Sequence, residues 1–189
     1  MSDERALIRR CRQRDEGALA ELIELKRQKV FRIALSIVGN EDDAKDITQL
    51  AFVRLWAAIP SFDESARFDP WFFRIVVNLG LDHFRKRRRR AEEPGGEIEP
   101  EPPPGPMASV QDATLYRADI RRIWNEAARR LTPPQRAAFA LHEIEGFGTE
   151  EIARVMGVRA STVRNHLLQA RRHLQEYLRR RYPEIARGR

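Results

Sequence analysis

The sequence predicts an all-α protein, two small helical domains joined by a proline- and glutamate-rich extended linker, with a helix-turn-helix in the second. Three observations predict it. Apolar residues recur three and four positions apart over most of the 189 residues, the period of a helix face and not the alternation of a strand. Residues 91–112 (AEEPGGEIEPEPPPGPMASVQD) hold six prolines, three glycines, six acids and no base, a composition that gives a stiff tether instead of regular structure. Residues 149–174 (TEEIARVMGVRASTVRNHLLQARRHL) describe two short helices meeting at a single glycine. The domains are therefore set at 1–90 and 113–183, with 91–112 between them.

Residues 4–13 predict a short helix and 17–38 a longer one, with Leu19, Leu22, Ile23, Leu25, Val30, Ile33, Ala34 and Ile37 on its inner face and Gly39 ending it. Asn40 caps the next helix, whose first turn, Glu41, Asp42 and Asp43, places acids at the positive helix end. Its buried stripe is Ala44, Ile47, Ala51, Leu55 and Ala58, widened by Phe52, Trp56 and Ile59, and Pro60 stops it. Lys45, Asp46, Gln49, Leu50 and Arg54 fall toward the edge. A leucine exposed beside Asp46 and Gln49 would suit a protein contact, whereas the same leucine in the core would need no function.

Residues 61–68 (SFDESARF) predict a polar loop. Asp69 and Pro70 open the following helix as N-cap and first helical position. That helix packs through Trp71, Phe72, Ile75, Val76, Leu79 and Phe84, then runs into six consecutive basic residues, 85–90. Adjacent cations repel one another unless a polyanion offsets them, which favours nucleic acid over a merely solvated helix end. Phe68, Trp71, Phe72 and Phe73 lie just upstream. Aromatics beside a basic track are what single-stranded bases stack on, although helical spacing suits a core equally.

The linker could span roughly 70 Å in polyproline geometry, and its acidity keeps it off DNA. Beyond it, Leu115, Ile120, Ile123, Trp124, Ala127 and Ala128 form the stripe of a helix ending at Arg130. Thr132 caps the next, which buries Ala137, Phe139, Ala140, Leu141 and Ile144. Thr149 caps the first helix of the helix-turn-helix, lined by Ile152, Ala153, Val155 and Met156, and Gly157 breaks it. The second, from about Ala160, buries Val163, Leu167, Ala170 and Leu174. Ser161, Thr162, Arg164, Asn165, His166, Leu168, Gln169, Arg171 and Arg172 are left on its outer face or rim. Short hydroxyl, amide and guanidinium groups at the start of that face can reach base edges in a major groove, and the later arginines can neutralise phosphates. From Pro183 onward the chain is expected to fray.

The net charge of +7 points to a polyanionic partner. It is divided unevenly: 19 basic and 14 acidic residues in 1–90, none and six in 91–112, 16 and eight in 113–189. Cys11 is the only cysteine, so no internal disulfide forms, and the four histidines (His83, His142, His166, His173) show no metal-ligand spacing. The charged start MSDERALIRRCRQRD has no signal-like apolar core and no apolar run approaches about 18 residues, which predicts a soluble cytoplasmic protein with no membrane insertion. A DNA-cutting enzyme such as a serine recombinase needs a serine nucleophile among arginines. Ser36 falls on a buried helix and Ser61 and Ser65 in an acidic loop. A stand-alone helix-turn-helix regulator would explain 113–183 but not 1–90.

In order and spacing the chain resembles the bacterial sigma factors, specifically the extracytoplasmic-function group, over nearly its whole length. DDAKDITQLAFVRLW resembles that family's helix that docks on the polymerase clamp, FDESARFDPWFFRIVVNLGLDHFRKRR its promoter-melting element, and LTPPQRAAFALHEIEGFGTEEIARVMGVRASTVRNHLLQARRHL its −35 reader. The resemblance implies that Asp46, Gln49 and Leu50 meet core RNA polymerase, whose beta and beta-prime subunits are the partners. It implies that Asp63, Glu64, Ser65, Ala66 and Arg67 with Phe68 and Trp71 hold a flipped −10 base, and that Asn78, Asp82, Arg85 and Lys86 face the same strand. On the second helix of the helix-turn-helix, Ser161, Thr162, Arg164, Asn165, His166, Leu168 and Gln169 would lie on the −35 element, with Arg171 and Arg172 on phosphates. No cofactor is implied, since the polymerase supplies the chemistry, and an anti-sigma factor is an expected further partner. The chain departs from the family at Leu50, where glutamate is usual, at Asp69-Pro70, at Arg159, where serine often caps the recognition helix, and at Gln169, often arginine.

Overall fold

A computed structural model describes residues 4–92, 126–128 and 130–183, and among them all regular structure is helical. Helix α1 (Glu4–Arg12) buries Leu7, Ile8 and Cys11. Asp15 then caps α2 (Glu16–Val38), its carboxylate accepting from the Ala18 N–H at 3.0 Å and from Arg10 Nε at 2.8 Å. Arg14 adopts the left-handed conformation (φ 67°), which costs a non-glycine residue about 1 kcal/mol. It is held there by Trp56, whose carbonyl accepts from Arg14 Nη1 at 2.6 Å and whose ring lies 5.0 Å beneath its guanidinium carbon.

Helix α2 ends at Gly39 (φ 76°), and Asn40 caps α3 (Glu41–Ala58) through Oδ1, which accepts from the Asp42 and Asp43 N–H groups. A short 3-10 turn (Ile59–Ser61) containing Pro60 leads to the loop of residues 62–67, and α4 (Phe68–Glu92) follows. The first unit packs α1, α3 and α4 around α2, with Leu22, Val30, Ile33, Leu55, Phe72 and Val76 fully buried. Gly80 lets α4 approach α2 closely: a Cβ there would stand 2.9 Å from Ile37 Cγ2.

In the second unit, α5 (Pro133–Glu145) starts at Thr132, whose N–H donates to Gln135 Oε1 at 2.9 Å. Then come α6 (Thr149–Met156) and α7 (Ala160–Arg181). α5 packs on α2, and α6 on α4, so the two units share one continuous core.

Several expectations are corrected. Leu25 is not core but 50% exposed. The buried face of α4 includes Phe73 and Val77, which the expected stripe omitted, while Trp71, Ile75, Leu79 and Phe84 are half-buried. Asp69 does not cap α4; it is the second residue of the helix, and its carboxylate holds Lys26. Gly148 takes the N-cap position expected of Thr149, with Glu151 Oε2 accepting from its N–H at 3.4 Å. α4 runs through residues 91 and 92, where the linker was expected to begin. The rest of the linker, the expected helix positions Leu115, Ile120, Ile123 and Trp124, and the end of the chain beyond Pro183 lie outside the described residues; Ala127 and Ala128 are buried as expected.

Candidate nucleic-acid interface

The helix-turn-helix is built as the spacing predicts. Gly157 (φ 66°) turns the chain out of α6 by a bond from its N–H to the Ala153 carbonyl. Val163, Leu167 and Ala170 fix α7 against the unit, as does Tyr177, which periodicity reasoning had not extended to. Leu174 is only half-buried. Outward, Ser161, Arg164, Asn165, Leu168 (63% exposed), Arg171 and Arg172 face solvent, with Thr162, His166 and Gln169 on the rim. Arg159 occupies the N-cap of α7 without a side-chain bond, so its guanidinium is not spent on the helix end. Burial lowers the His166 pKa, so the imidazole is neutral near pH 7 and adds no charge toward phosphate. Arg172 Nε lies 3.5 Å from Glu176 on the same helix.

The second surface lies along α4. Arg74, Asn78, Asp82, Arg85 and Arg89 are exposed and follow one another at three- and four-residue steps, so they form one solvent stripe. Asn78, Asp82 and Arg85 are thus brought together as expected, with Asp82 accepting from Arg85 Nη1 at 2.5 Å. Lys86, Arg88 and Arg90 are exposed beside them. Arg74 was not singled out by sequence, although its position four residues before Asn78 is the signal that finds it.

At the N-terminal end of that stripe sits the loop. Asp63, Glu64, Ser65, Ala66 and Arg67 are all exposed. Asp63 folds the loop on itself, its carboxylate accepting from the Ser65 N–H at 2.9 Å and from Ser65 Oγ at 2.8 Å. These bonds hold its pKa below the usual carboxylate range. Phe68 is buried beneath the loop, 5.6 Å from Phe62 and 5.7 Å from Phe72 between ring centroids, so it forms the floor and not a free stacking face. Trp71, half-buried and 4.8 Å from Phe62, keeps part of its ring accessible.

Charged partners hold the loop from two sides. Glu64 pairs with Arg12 at the end of α1, and Arg67 pairs with Glu151 of α6 while lying 6.0 Å from the Phe147 ring centroid. Lys26, 4% exposed, binds Asp69 at 2.6 Å and Glu4 at 2.8 Å. Neither Lys26 nor Arg136 figured among the sequence candidates. Arg136 is buried and donates to the carbonyls of Ala128, Leu131 and, across the two units, Ile37.

A third surface is the outer stripe of α3. Asp46, Gln49, Leu50 (42% exposed) and Val53 (64%) stand opposite its buried Ala44, Ile47, Ala51 and Leu55, and Leu25 is exposed on α2. Gln49 also lines a groove between α2 and α3 with Phe31, Lys45 and Thr48. Among the described residues no His, Cys, Asp and Glu cluster could hold a metal, and no helix is long and apolar enough to cross a membrane.

Comparison with known proteins assigns both halves. Residues 22–90 match the family described as sigma-70 region 2, and residues 121–174 that described as sigma-70, region 4. The chain is 35% identical to the ECF RNA polymerase sigma factor SigE of Mycolicibacterium smegmatis over 91% of its length and 67% of the relative's. It is 32% identical to the RNA polymerase sigma factor NccH of Alcaligenes xylosoxydans xylosoxydans, over 94% and 95%. Two solved structures share the fold at TM-score 0.68: CnrH in complex with the cytosolic domain of CnrY (22% identity, 94% of this chain and 98% of that one), and the sigma factor RpoE in complex with the anti-sigma factor NepR from Bartonella quintana (26%, 85% and 96%).

Proposed function

Because this chain belongs to the extracytoplasmic-function group of the sigma-70 family, and so serves promoter-specific transcription initiation with RNA polymerase, we propose that it reads promoters at two elements and opens the duplex at one. α7 enters the major groove of the −35 element, with Arg164 and Asn165 on base edges and Arg171 and Arg172 on phosphates. The 62–67 loop receives a base extruded from the −10 element, and the Arg74, Asn78 and Arg85 stripe of α4 follows the strand that carries it. Binding a flipped base in a polar loop offsets unpairing energy of a few kcal/mol. The outer stripe of α3, Asp46, Gln49, Leu50 and Val53, docks on core polymerase.

The observation that carries this reading is the division of α7. Val163, Leu167, Ala170 and Tyr177 are buried inside the domain, while Ser161, Arg164, Asn165, Leu168 and Arg171 are exposed and have no hydrogen-bond or ion-pair partner among the described residues. A protein of the anti-sigma class is a further partner by analogy with the solved complexes. The test is transcription by purified core polymerase with this chain on a pool of genomic fragments, mapping the 5′ ends of the transcripts. The expected start sites share two upstream sequence blocks at constant spacing. Start sites sharing a single block would leave one of the two surfaces without a role.

A further inference from the structure

The helix α1 lies outside the stretch matched by the sigma-70 region 2 family, yet it meets the base-receiving loop directly in its middle, and with the residues just after it reaches the turn before the loop's entry and, through Lys26 of α2, the start of α4 beyond its exit. It packs on the 3-10 turn Ile59–Ser61 that leads into the loop. Arg14, two residues past α1, donates to the Trp56 carbonyl at 2.6 Å, just ahead of that turn. Arg12, the last residue of α1, pairs with Glu64 in the middle of the loop. Glu4, its first residue, meets Lys26 Nζ at 2.8 Å, and the same nitrogen binds Asp69 at 2.6 Å, where the loop passes into α4. Lys26 Nζ also lies 5.8 Å from the ring centroid of Phe68, the loop's floor.

A nine-residue helix is about 13.5 Å long, so its two ends, one through Arg12 and the other through Lys26, can hold two separate points about a short loop at a fixed distance. The two grips differ in kind. The Lys26 grip is buried, with a polar group that must keep its partners. The Arg12 grip is on the surface, with side chains 34% and 44% exposed, and therefore weak for stability. A pair that contributes little to folding and yet fixes the one acidic loop side chain not bonded within the loop is suited to shaping it.

We propose that α1 is a brace for base capture, in which Arg12 and, through Asp69, Lys26 are positioning residues that hold the 62–67 loop open to an extruded base. This rests on the reading of that loop given above. The brace acts on the single-stranded element alone: α7, core docking and the fold as a whole do not depend on Arg12.

The experiment is a double-mutant cycle of Arg12→Ala and Glu64→Ala in the full chain reconstituted with core polymerase. The probe is a single-stranded oligonucleotide carrying the −10 block of a mapped start site, compared with the same strand made abasic at the extruded position. Arg12→Ala is expected to weaken binding of the intact strand roughly threefold to fivefold, to leave the abasic strand and −35 duplex binding unchanged, and to add nothing in the Glu64→Ala background. Arg12→Lys is expected to restore most of the loss. If Arg12→Ala has no effect, or multiplies with Glu64→Ala, or weakens duplex and abasic binding by the same factor, the brace is overturned. Asp63→Ala separates the two ideas: if it weakens the intact strand while Arg12→Ala does not, only the brace fails. If the wild-type complex does not distinguish the abasic strand, the loop reading fails with it.

Discussion

Phe73 of α4 and Phe147, the middle residue of the three between α5 and α6, meet edge-on with ring centroids 5.9 Å apart, and both are buried. At this contact the region 2 and region 4 units share one core. Around it Arg67 pairs with Glu151, Arg136 reaches the Ile37 carbonyl at 3.3 Å, and Lys29 binds Glu145 at 3.2 Å. Truncating a buried phenylalanine costs about 3 to 5 kcal/mol, and here the loss falls on the junction. Phe147→Ala is expected to lower the unfolding free energy by that amount, read from the denaturant midpoint and slope, and to raise the radius of gyration measured by X-ray scattering. Glu151→Ala, which removes both the partner of a largely exposed arginine and the acceptor for the Gly148 N–H at the start of α6, should cost about 1 kcal/mol, well short of the Phe147 loss.

On the proposed docking of α7, base recognition and phosphate contact should separate by salt dependence. Arg164→Ala in the holoenzyme is expected to cost about 1 to 3 kcal/mol on the cognate −35 element and little on scrambled duplex. Arg171→Ala should weaken both alike and reduce the slope of log K against log salt by about 0.9. Fluorescence anisotropy at several salt concentrations reads both.

Gly80 gives a prediction whose sign depends on its neighbour. Gly80→Ala gains up to about 1 kcal/mol of helix propensity, but its methyl would press on Ile37 Cγ2 at 2.9 Å, and overpacking costs about 1 to 3 kcal/mol. Net destabilisation is expected in the native chain. In an Ile37→Ala background the same change should become stabilising, and chemical denaturation of the four proteins decides it.

Alkaline conditions should loosen the molecule at two identified places. Burial works against the Lys26 ammonium, but the hydrogen bonds and charges of Asp69 and Glu4 outweigh it and raise its pKa. Its contribution is therefore whole below the unfolded lysine value, about 10.4, and is lost as pH rises through the higher folded value. Burial, with the hydrogen bond and charge of Glu126, pushes the Tyr177 phenol up to about 12. The protonated phenol is favoured in the folded state, so stability falls further between about pH 10 and the folded value. Phenolate absorbance should show one tyrosine titrating later than the others, and Tyr177→Phe should abolish that late step.

The helices were legible because their caps and stripes are local: Asn40, Gly39, Thr132 and Gly157 terminate or start elements where their chemistry requires. The outer face of α7 followed from the same periodicity. What was not legible depends on contacts distant in sequence. Lys26 sits four residues from both Leu22 and Val30, so its place on the buried stripe of α2 could be read. That it would meet Asp69, and so remove that residue from the capping role, could not. Leu25 shows the converse: an apolar residue beside the stripe looks internal until the neighbouring helices leave it uncovered. Whether Phe73 stacks on bases or lies in the core is not decided by its own helix, because its partner, Phe147, lies in the other half of the chain.

The central claim is that the chain opens promoter DNA only as part of polymerase. It is tested most directly by single-strand-specific thymine oxidation on a template carrying one mapped start site, with core polymerase alone, the chain alone and both together. Reactive thymines are expected in the −10 block only when both are present, and their loss is expected when Arg67 and Trp71 are both replaced by alanine. Thymine reactivity with core alone, or none with both proteins on a template from which the pair initiates transcription, would contradict it.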